Sequence, residues 1–286
     1  MAITLDADGA TLLIEPENGA AITRYLWRER EVLRPSRAHA ASPTERSCFP
    51  LVPFANRIAF GKFHWRGRAI ALHPNFGDDP SAIHGQGWQS AWTIAEQSAA
   101  CARLTLDHEA GAWPWAYRAE LNYSLDSDGA LHAVLSVANH GEDAMPTSLG
   151  FHPYFPKYPQ SRLTAAVDGM WLTDKALIPS ALRPPILDFT NGAGLDGAPF
   201  IDNCFTDWSG RAAIDQPDIR IALRAGTRFV QIFVPEGLDF FCVEPATAMP
   251  DAVNRPEPTR ETGLLALPSG ATFTVSMTIR PQEKAS

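Results

Sequence analysis

Two proton-transfer side chains, His152 and Glu244, stand far apart in the chain, each among prolines and bulky apolar residues. His152 lies in Phe151-His152-Pro153-Tyr154-Phe155, and Glu244 in Val243-Glu244-Pro245-Ala246-Thr247-Ala248-Met249-Pro250-Asp251-Ala252. An imidazole facing a carboxylate across a small pocket is a general acid/base pair, provided the fold brings both within hydrogen-bond reach of one substrate. The residue before a proline is pushed toward extended backbone, so His152 is expected at the end of an apolar strand. Glu244 follows Phe240, Phe241, Cys242 and Val243. A carboxylate so placed either keeps its proton or meets hydrogen-bond donors, because burying an unpartnered charge is costly. Both outcomes suit a base. On the residues alone, plainer readings stay open: a packed histidine bonded to a carbonyl, and a glutamate in a structural ion pair or in solvent.

Three further segments carry groups able to hold a polar ligand. Ile83-His84-Gly85-Gln86-Gly87-Trp88 sets His84 beside glycines that let the backbone approach a ligand closely. Trp88 is either an aromatic platform or plain core. Asn56-Arg57-Ile58 offers a guanidinium fork after an apolar run, or a strand-edge ion pair. Phe200-Ile201-Asp202-Asn203 offers a carboxylate that can accept from two neighbouring hydroxyls, or cap a turn. The eight histidines include no H-x-H or H-x-x-x-H pair, so no metal site is expected. With no G-x-S-x-G elbow, no Walker sequence and no dinucleotide-binding glycine turn, hydrolase, kinase and dehydrogenase readings have no motif behind them.

The elements that must position these groups read as strands. From Tyr117 to Leu125 and again from Leu131 to Val137, apolar residues alternate with polar ones around an Asp126-Ser127-Asp128-Gly129 turn, which predicts an antiparallel hairpin. Ile219 to Leu223 and Phe229 to Val234, on either side of Gly226, read as a second hairpin. Phe273, Val275, Met277 and Ile279 alternate with Thr272, Thr274, Ser276 and Thr278, a further strand. Shorter candidates are Leu12 to Ile14, Ile22 to Trp27, Trp92 to Ala95, Ala102 to Leu106, Leu163 to Val167 and Phe240 to Val243. No long amphipathic helix is expected, and Pro179 to Pro199 reads as a long irregular connection. The 24 prolines among 286 residues exceed the usual share of about 5%, which suits many turns between short strands. Together these features predict an all-β fold, a large antiparallel β-sandwich, forming a single domain over residues 1–286.

Composition narrows the partner. A net charge of −8 repels nucleic acid and anionic membranes, which leaves a small and neutral molecule as the expected ligand. No signal-peptide pattern and no apolar run of spanning length is seen, so a cytoplasmic location is expected. The scattered Cys48, Cys101, Cys204 and Cys242 read as reduced thiols.

The N-R-I, I-H-G, H-P-Y-F and E-P-x-T-x-x-P-D-A segments follow one another between Phe49 and Asn254. In that order they resemble the aldose 1-epimerase (mutarotase) family, in its shorter bacterial branch. The resemblance implies the large β-supersandwich of that family and interconversion of the α and β anomers of a free monosaccharide. It implies that His152 is the general acid protonating the ring oxygen, and that Glu244 is the base taking the anomeric hydroxyl proton. It implies Asn56, Arg57, His84 and Asp202 as sugar ligands, and no metal or organic cofactor. Asn203-Cys204 departs from the histidine-containing form common in galactose mutarotases, which leaves the sugar open. A hexose-6-phosphate 1-epimerase is an alternative that would need an additional Arg or Lys cluster, and the motifs show none. A non-catalytic carbohydrate-binding protein on the same scaffold is another, since fold does not fix function.

Overall fold

The computed structural model describes residues 2–37, 40, 42–255 and 259–284; His39, counted in the histidine survey, lies outside the described residues. The alternating segments form one wall of a β-sandwich. Tyr117–Leu125 pairs with Leu131–Asn139 from Leu125 opposite Leu131 to Tyr117 opposite Asn139, which is the expected hairpin. Thr272–Glu283 lies against its second strand, and the sheet continues through Ile219–Ala225, Arg211–Asp215 and Arg162–Ala165. Cys101–His108 and Thr93–Gln97 extend it on the other side. Nine antiparallel strands take part among the described residues. Every second side chain, such as Leu121, Leu135, Met277 and Ile221, is buried in the main core, and the intervening residues meet water.

The central strands of the facing sheet, Phe229–Val234 and Phe240–Ala246, are buried on both faces. Its order is Pro179–Arg183, Gly169–Thr173, Ile201–Thr206, Phe229–Val234, Phe240–Ala246, Gly150–Phe151 and Pro50–Leu51, with Tyr154–Pro156 also paired to Phe240–Ala246. Phe155, Val230, Ile232, Phe241 and Val243 point into the main core. Tyr154, Phe240, Cys242 and Ala246 belong to a second cluster, with Phe49, Leu51 and Trp88, on the opposite face. Continuous apolar runs in these strands follow from this double burial.

Three expectations are corrected. Ile219–Ala225 and Phe229–Val234 are not a hairpin: the first lies in the nine-stranded sheet and the second in the facing one, so the chain changes sheets at Gly226. The burial patterns already differ, alternating in the first strand and continuous in most of the second. The stretch from Pro179 is not wholly irregular, since Pro179–Arg183 is an edge strand and Ala193–Gly194 pairs with Arg162–Ala165. A proline is tolerated at the start of such an edge, and Leu182 is exposed there, so no alternation marks it. Val167 and Trp92 lie just outside their predicted strands, which run Arg162–Ala165 and Thr93–Gln97. The longest α-helix among the described residues is Thr259–Thr262, and none is long and apolar enough to cross a membrane.

A four-stranded sheet of Ile3–Ala7, Ala10–Glu15, Ala21–Trp27 and Arg30–Glu31 closes one end of the sandwich. It is pinned by Tyr25, whose buried hydroxyl donates to the Gly129 carbonyl at 2.6 Å and accepts from the Leu131 N–H at 3.2 Å. Both backbone groups are left unsatisfied in Tyr25→Phe, so that variant is expected to lose about 1–3 kcal/mol of unfolding free energy. Urea denaturation measures this, and a change below about 0.5 kcal/mol would refute the pinning role.

Candidate active site

Cross-strand register builds the floor of a cavity. Gln231 stands opposite both Cys204 and Glu244, while Phe233 stands opposite both Asp202 and Cys242, and Cys242 is opposite Tyr154. Side chains two apart on a strand share a face, so Asp202, Gln231, Phe233, Glu244 and Tyr154 all rise from the same side of the sheet. Asn56, His84 and His152, with Arg57 of the short strand Arg57–Ile58, complete a cavity of about 340 Å³, whose lining also includes Arg34, Arg37, Phe76 and Phe240. That volume suits one small ligand. All six expected site residues therefore line one cavity: His152, Glu244, Arg57, His84, Asp202 and Asn56.

His152 and Glu244 do not face each other across it. They stand side by side, His152 Nε2 at 3.3 Å from Glu244 Oε1, with side-chain exposures of 10% and 4%. His152 ends the short strand Gly150–Phe151, and its N–H donates to the Phe49 carbonyl at 3.0 Å. Its ring lies nearly parallel to Tyr154, at 4.6 Å between centroids, and against the tilted ring of Phe49 at 4.7 Å, and Phe49 also meets Tyr154 at 6.2 Å, so the three rings form a cluster. The far face of Tyr154 carries the Arg34 guanidinium 4.0 Å from the ring centroid, itself held by bonds to the Thr44 and Arg46 carbonyls, both 2.7 Å. These ring contacts restrict the imidazole and hold it beside Glu244. The strands approach closely enough for the contact because residue 150 is glycine: a methyl there would sit 2.6 Å from the Pro245 carbonyl oxygen.

His84 is fixed by a different device. Its Nδ1 accepts the Asn56 N–H at 3.0 Å, and its own N–H donates to the Asn56 carbonyl at 3.0 Å. With Nδ1 accepting, the ring proton of the neutral imidazole resides on Nε2, which makes His84 a hydrogen-bond donor. Both residues adopt left-handed backbone, each with φ of 60°, a strain of order 1 kcal/mol or more that the paired bonds must hold in place. Arg57 Nε donates to Asp79 at 3.0 Å, and its Nη1 lies 4.0 Å from Asp202. Asp202 also accepts from Gln231 Nε2 at 2.6 Å. The Gln231 carbonyl oxygen is then buried with no partner, an acceptor open to a ligand hydroxyl.

Motif residues that do not line the cavity fasten those that do. The Asp251 carboxylate accepts the Ala59 N–H at 2.9 Å and its N–H donates to the Arg57 carbonyl at 2.7 Å, so the P-D-A segment holds N-R-I. Thr247 and Leu149 exchange bonds, the Thr247 hydroxyl accepting the Leu149 N–H at 2.9 Å, which ties the strand of Glu244 to that of His152. Trp88 is buried and also lines the cavity: its indole N–H donates to the Ile83 and Gly85 carbonyls while the ring stacks on Phe49. Arg34, Arg37, Asp79 and Gln231 were not anticipated. Gln231 left a signal, a polar side chain inside the run Phe229–Val234. The others sit in loops where nothing in the sequence distinguishes them.

Electrostatics follows from the dryness of this floor. Burial, with repulsion from Asp202, pushes Glu244 well above the ordinary carboxylate range, while Arg57 pulls the other way. Burial, reinforced by Arg34 and Arg57, pushes His152 down to about 3. The ion pair and its neutral tautomer differ by one proton moved along the 3.3 Å contact, and burial disfavours the charged form of each partner. Both shifts favour the uncharged form, Glu244 protonated and His152 neutral. Cys242 lies against it: its Sγ, a Glu244 oxygen and a His152 ring nitrogen are mutually within 4.8 Å, a set able to ligate a metal ion.

Burial, with His152 and Arg57 adding repulsion, also holds His84 well below the usual imidazole range. The unfolded chain takes up this proton near pH 6.5 and the folded chain does not, so stability from His84 is present above that pH and is lost as the pH falls. The loss reaches about 1.4 kcal/mol for each pH unit below it. NMR titration is expected to find the His84 ring neutral and protonated on Nε2 at pH 6; titration near 6.5 would overturn this assignment.

The family model described as aldose 1-epimerase matches residues 1–280 of the chain. YphB, an uncharacterized protein of Escherichia coli K12, is 34% identical over 295 residues, covering 98% of this chain and 99% of its own. A crystal structure of an Escherichia coli K12 protein, 32% identical, superposes with a TM-score of 0.90 over 99% of each chain. A galactose mutarotase-like protein of Clostridium acetobutylicum, 20% identical, has a TM-score of 0.87 over 99% of this chain and 95% of its own, a likeness of fold.

Proposed function

The chain belongs to the aldose 1-epimerase family, and from that premise we propose that it interconverts the α and β anomers of a free aldose by acid/base opening and reclosure of the ring. One observation carries the reading: the 3.3 Å contact between His152 and Glu244 at the floor of a cavity of monosaccharide scale. The ring oxygen and the anomeric hydroxyl of a hemiacetal share one carbon, so the acid and base that serve them must be neighbours. From the ion-pair tautomer, with Glu244 ionised and His152 protonated, Glu244 takes the hydroxyl proton while His152 gives one to the ring oxygen, and the C1–O5 bond breaks. The proton then rests on Glu244 and His152 is neutral, which is the tautomer that burial favours. The aldehyde turns about C1–C2 and recloses on its other face as both protons return. His84 Nε2–H donates to oxygen as charge develops, and Arg57, Asn56, Asp202 and Gln231 hold the remaining hydroxyls. The step requires no metal or organic cofactor.

Each positioned proton transfer is worth roughly 10² to 10⁴ in rate. Polarimetry is expected to show losses of that order for Glu244→Gln and for His152→Asn, with the double variant scarcely worse than either, because the two act as a unit. Wild-type rates in both single variants would refute the roles.

A second reading, a 6-phosphorylated aldose, is favoured by Arg34 and Arg37, two guanidiniums on the cavity wall that the motifs did not reveal. Anomer exchange measured by NMR over free and phosphorylated aldoses separates the two: acceleration confined to phosphorylated sugars would replace the first reading. Sugar binding without any acceleration would leave a carbohydrate-binding protein.

A further inference from the structure

The acid/base pair has a third neighbour that sugar ring opening does not use. Cys242 precedes Glu244 by two residues on the same face of Phe240–Ala246, is fully buried, and carries a free thiol. We propose that Cys242, His152 and Glu244 form a binding site for a borderline-soft divalent cation of the zinc type, and that its occupancy switches the acid/base pair off.

The ligand chemistry selects the ion. One sulfur, one imidazole nitrogen and one carboxylate oxygen suit Zn²⁺ or Co²⁺, whereas Mg²⁺ and Ca²⁺ call for six or more oxygens and would gain almost nothing here. The geometry is close to what coordination needs. A tetrahedral zinc with bonds of about 2.0–2.3 Å holds its ligand atoms about 3.3–3.6 Å apart. The His152–Glu244 pair already stands at 3.3 Å, and the whole set lies within 4.8 Å, so side-chain torsions alone close the remaining ångström. Three protein ligands leave a fourth position, and the cavity lined by His152 and Glu244 supplies both that position and the entry path.

Charge also balances. Thiolate and carboxylate together neutralise a dication, so the site gains no net buried charge. Two protons leave to bulk water, one from the thiol and one from the His152–Glu244 pair. The nearby Arg57 opposes a cation less than its charge suggests, because Asp79 pairs with it at 3.0 Å and Asp202 lies at 4.0 Å. In the bound state the metal takes up the His152 and Glu244 lone pairs that would otherwise carry the proton. Neither group can then take or give one, and the inhibition rests on the acid/base reading above.

Co²⁺ titration of the full chain tests the site without reference to catalysis. The expected result is one equivalent bound with a sulfur-to-cobalt charge-transfer band, absent in Cys242→Ser. In mutarotation assays Zn²⁺ should inhibit in competition with aldose, while Mg²⁺ at the same concentration does nothing. Loss of an outer-shell partner typically weakens metal binding about 10–100-fold, so loss of a direct ligand in Cys242→Ser should raise the half-inhibiting zinc concentration at least that much, each protein read against its own metal-free rate. If Cys242→Ser does not fold, zinc X-ray absorption on the wild type decides, with one sulfur among the nearest ligands expected. A cobalt or zinc complex without sulfur, or no stoichiometric binding, overturns the proposal. Inactivity on every aldose would end the epimerase reading and leave the spectroscopic result to judge the metal site alone.

Discussion

The contact between one imidazole and one carboxylate, kept dry, is the constraint to which the rest of the molecule answers. Neither group tolerates burial alone, and charge on either costs several kcal/mol when it is taken from water without a partner. With Glu244 protonated and His152 neutral, the pair carries no charge. This arrangement demands two things of the fold: a sheet buried on both faces to keep water out, and a glycine at residue 150 so that the two strands bearing the pair can close.

Rigidity around the pair is built from stacking and from backbone bonds more than from salt bridges. Phe49, His152 and Tyr154 form a cluster of three mutually touching rings, with the Arg34 guanidinium over Tyr154. Opposite, Asn56 and His84 hold each other in left-handed backbone through two reciprocal bonds. Strain of this kind persists only where the surroundings over-determine it, and here Asp251, from a distant part of the chain, does so: its carboxylate accepts the Ala59 N–H and its own N–H donates to the Arg57 carbonyl. What the site lacks is as informative as what it holds: the Gln231 carbonyl and His152 Nδ1 are buried without partners. Unsatisfied groups of this sort cost about 1–3 kcal/mol each, an expense consistent with a cavity shaped for a polar guest.

The same features that favour proton transfer also create an affinity for soft cations. A carboxylate and an imidazole in a dry pocket bind a proton or a metal by the same lone pairs, and a neighbouring thiol tips the balance toward zinc-like ions. Because Cys242 shares a face with Glu244 at the two-residue period of the strand, its position follows from the placement of the base itself.

The sequence by itself determined the all-β architecture, the leading hairpin and six of the residues that line the cavity. Alternation of period two and the order of short motifs are local properties, readable without coordinates. The partition of Ile219–Ala225 and Phe229–Val234 between two sheets was not readable, because a turn at Gly226 looks the same whether the chain folds back or crosses over. Nor could it disclose that Arg34 and Arg37 flank the cavity, that Asp79 pairs with Arg57, or that His152 and Glu244 stand side by side. Those facts depend on which strands lie next to which across long sequence separations. Register between Phe240–Ala246, its neighbours and the loops above them is settled only when the whole sandwich closes its core.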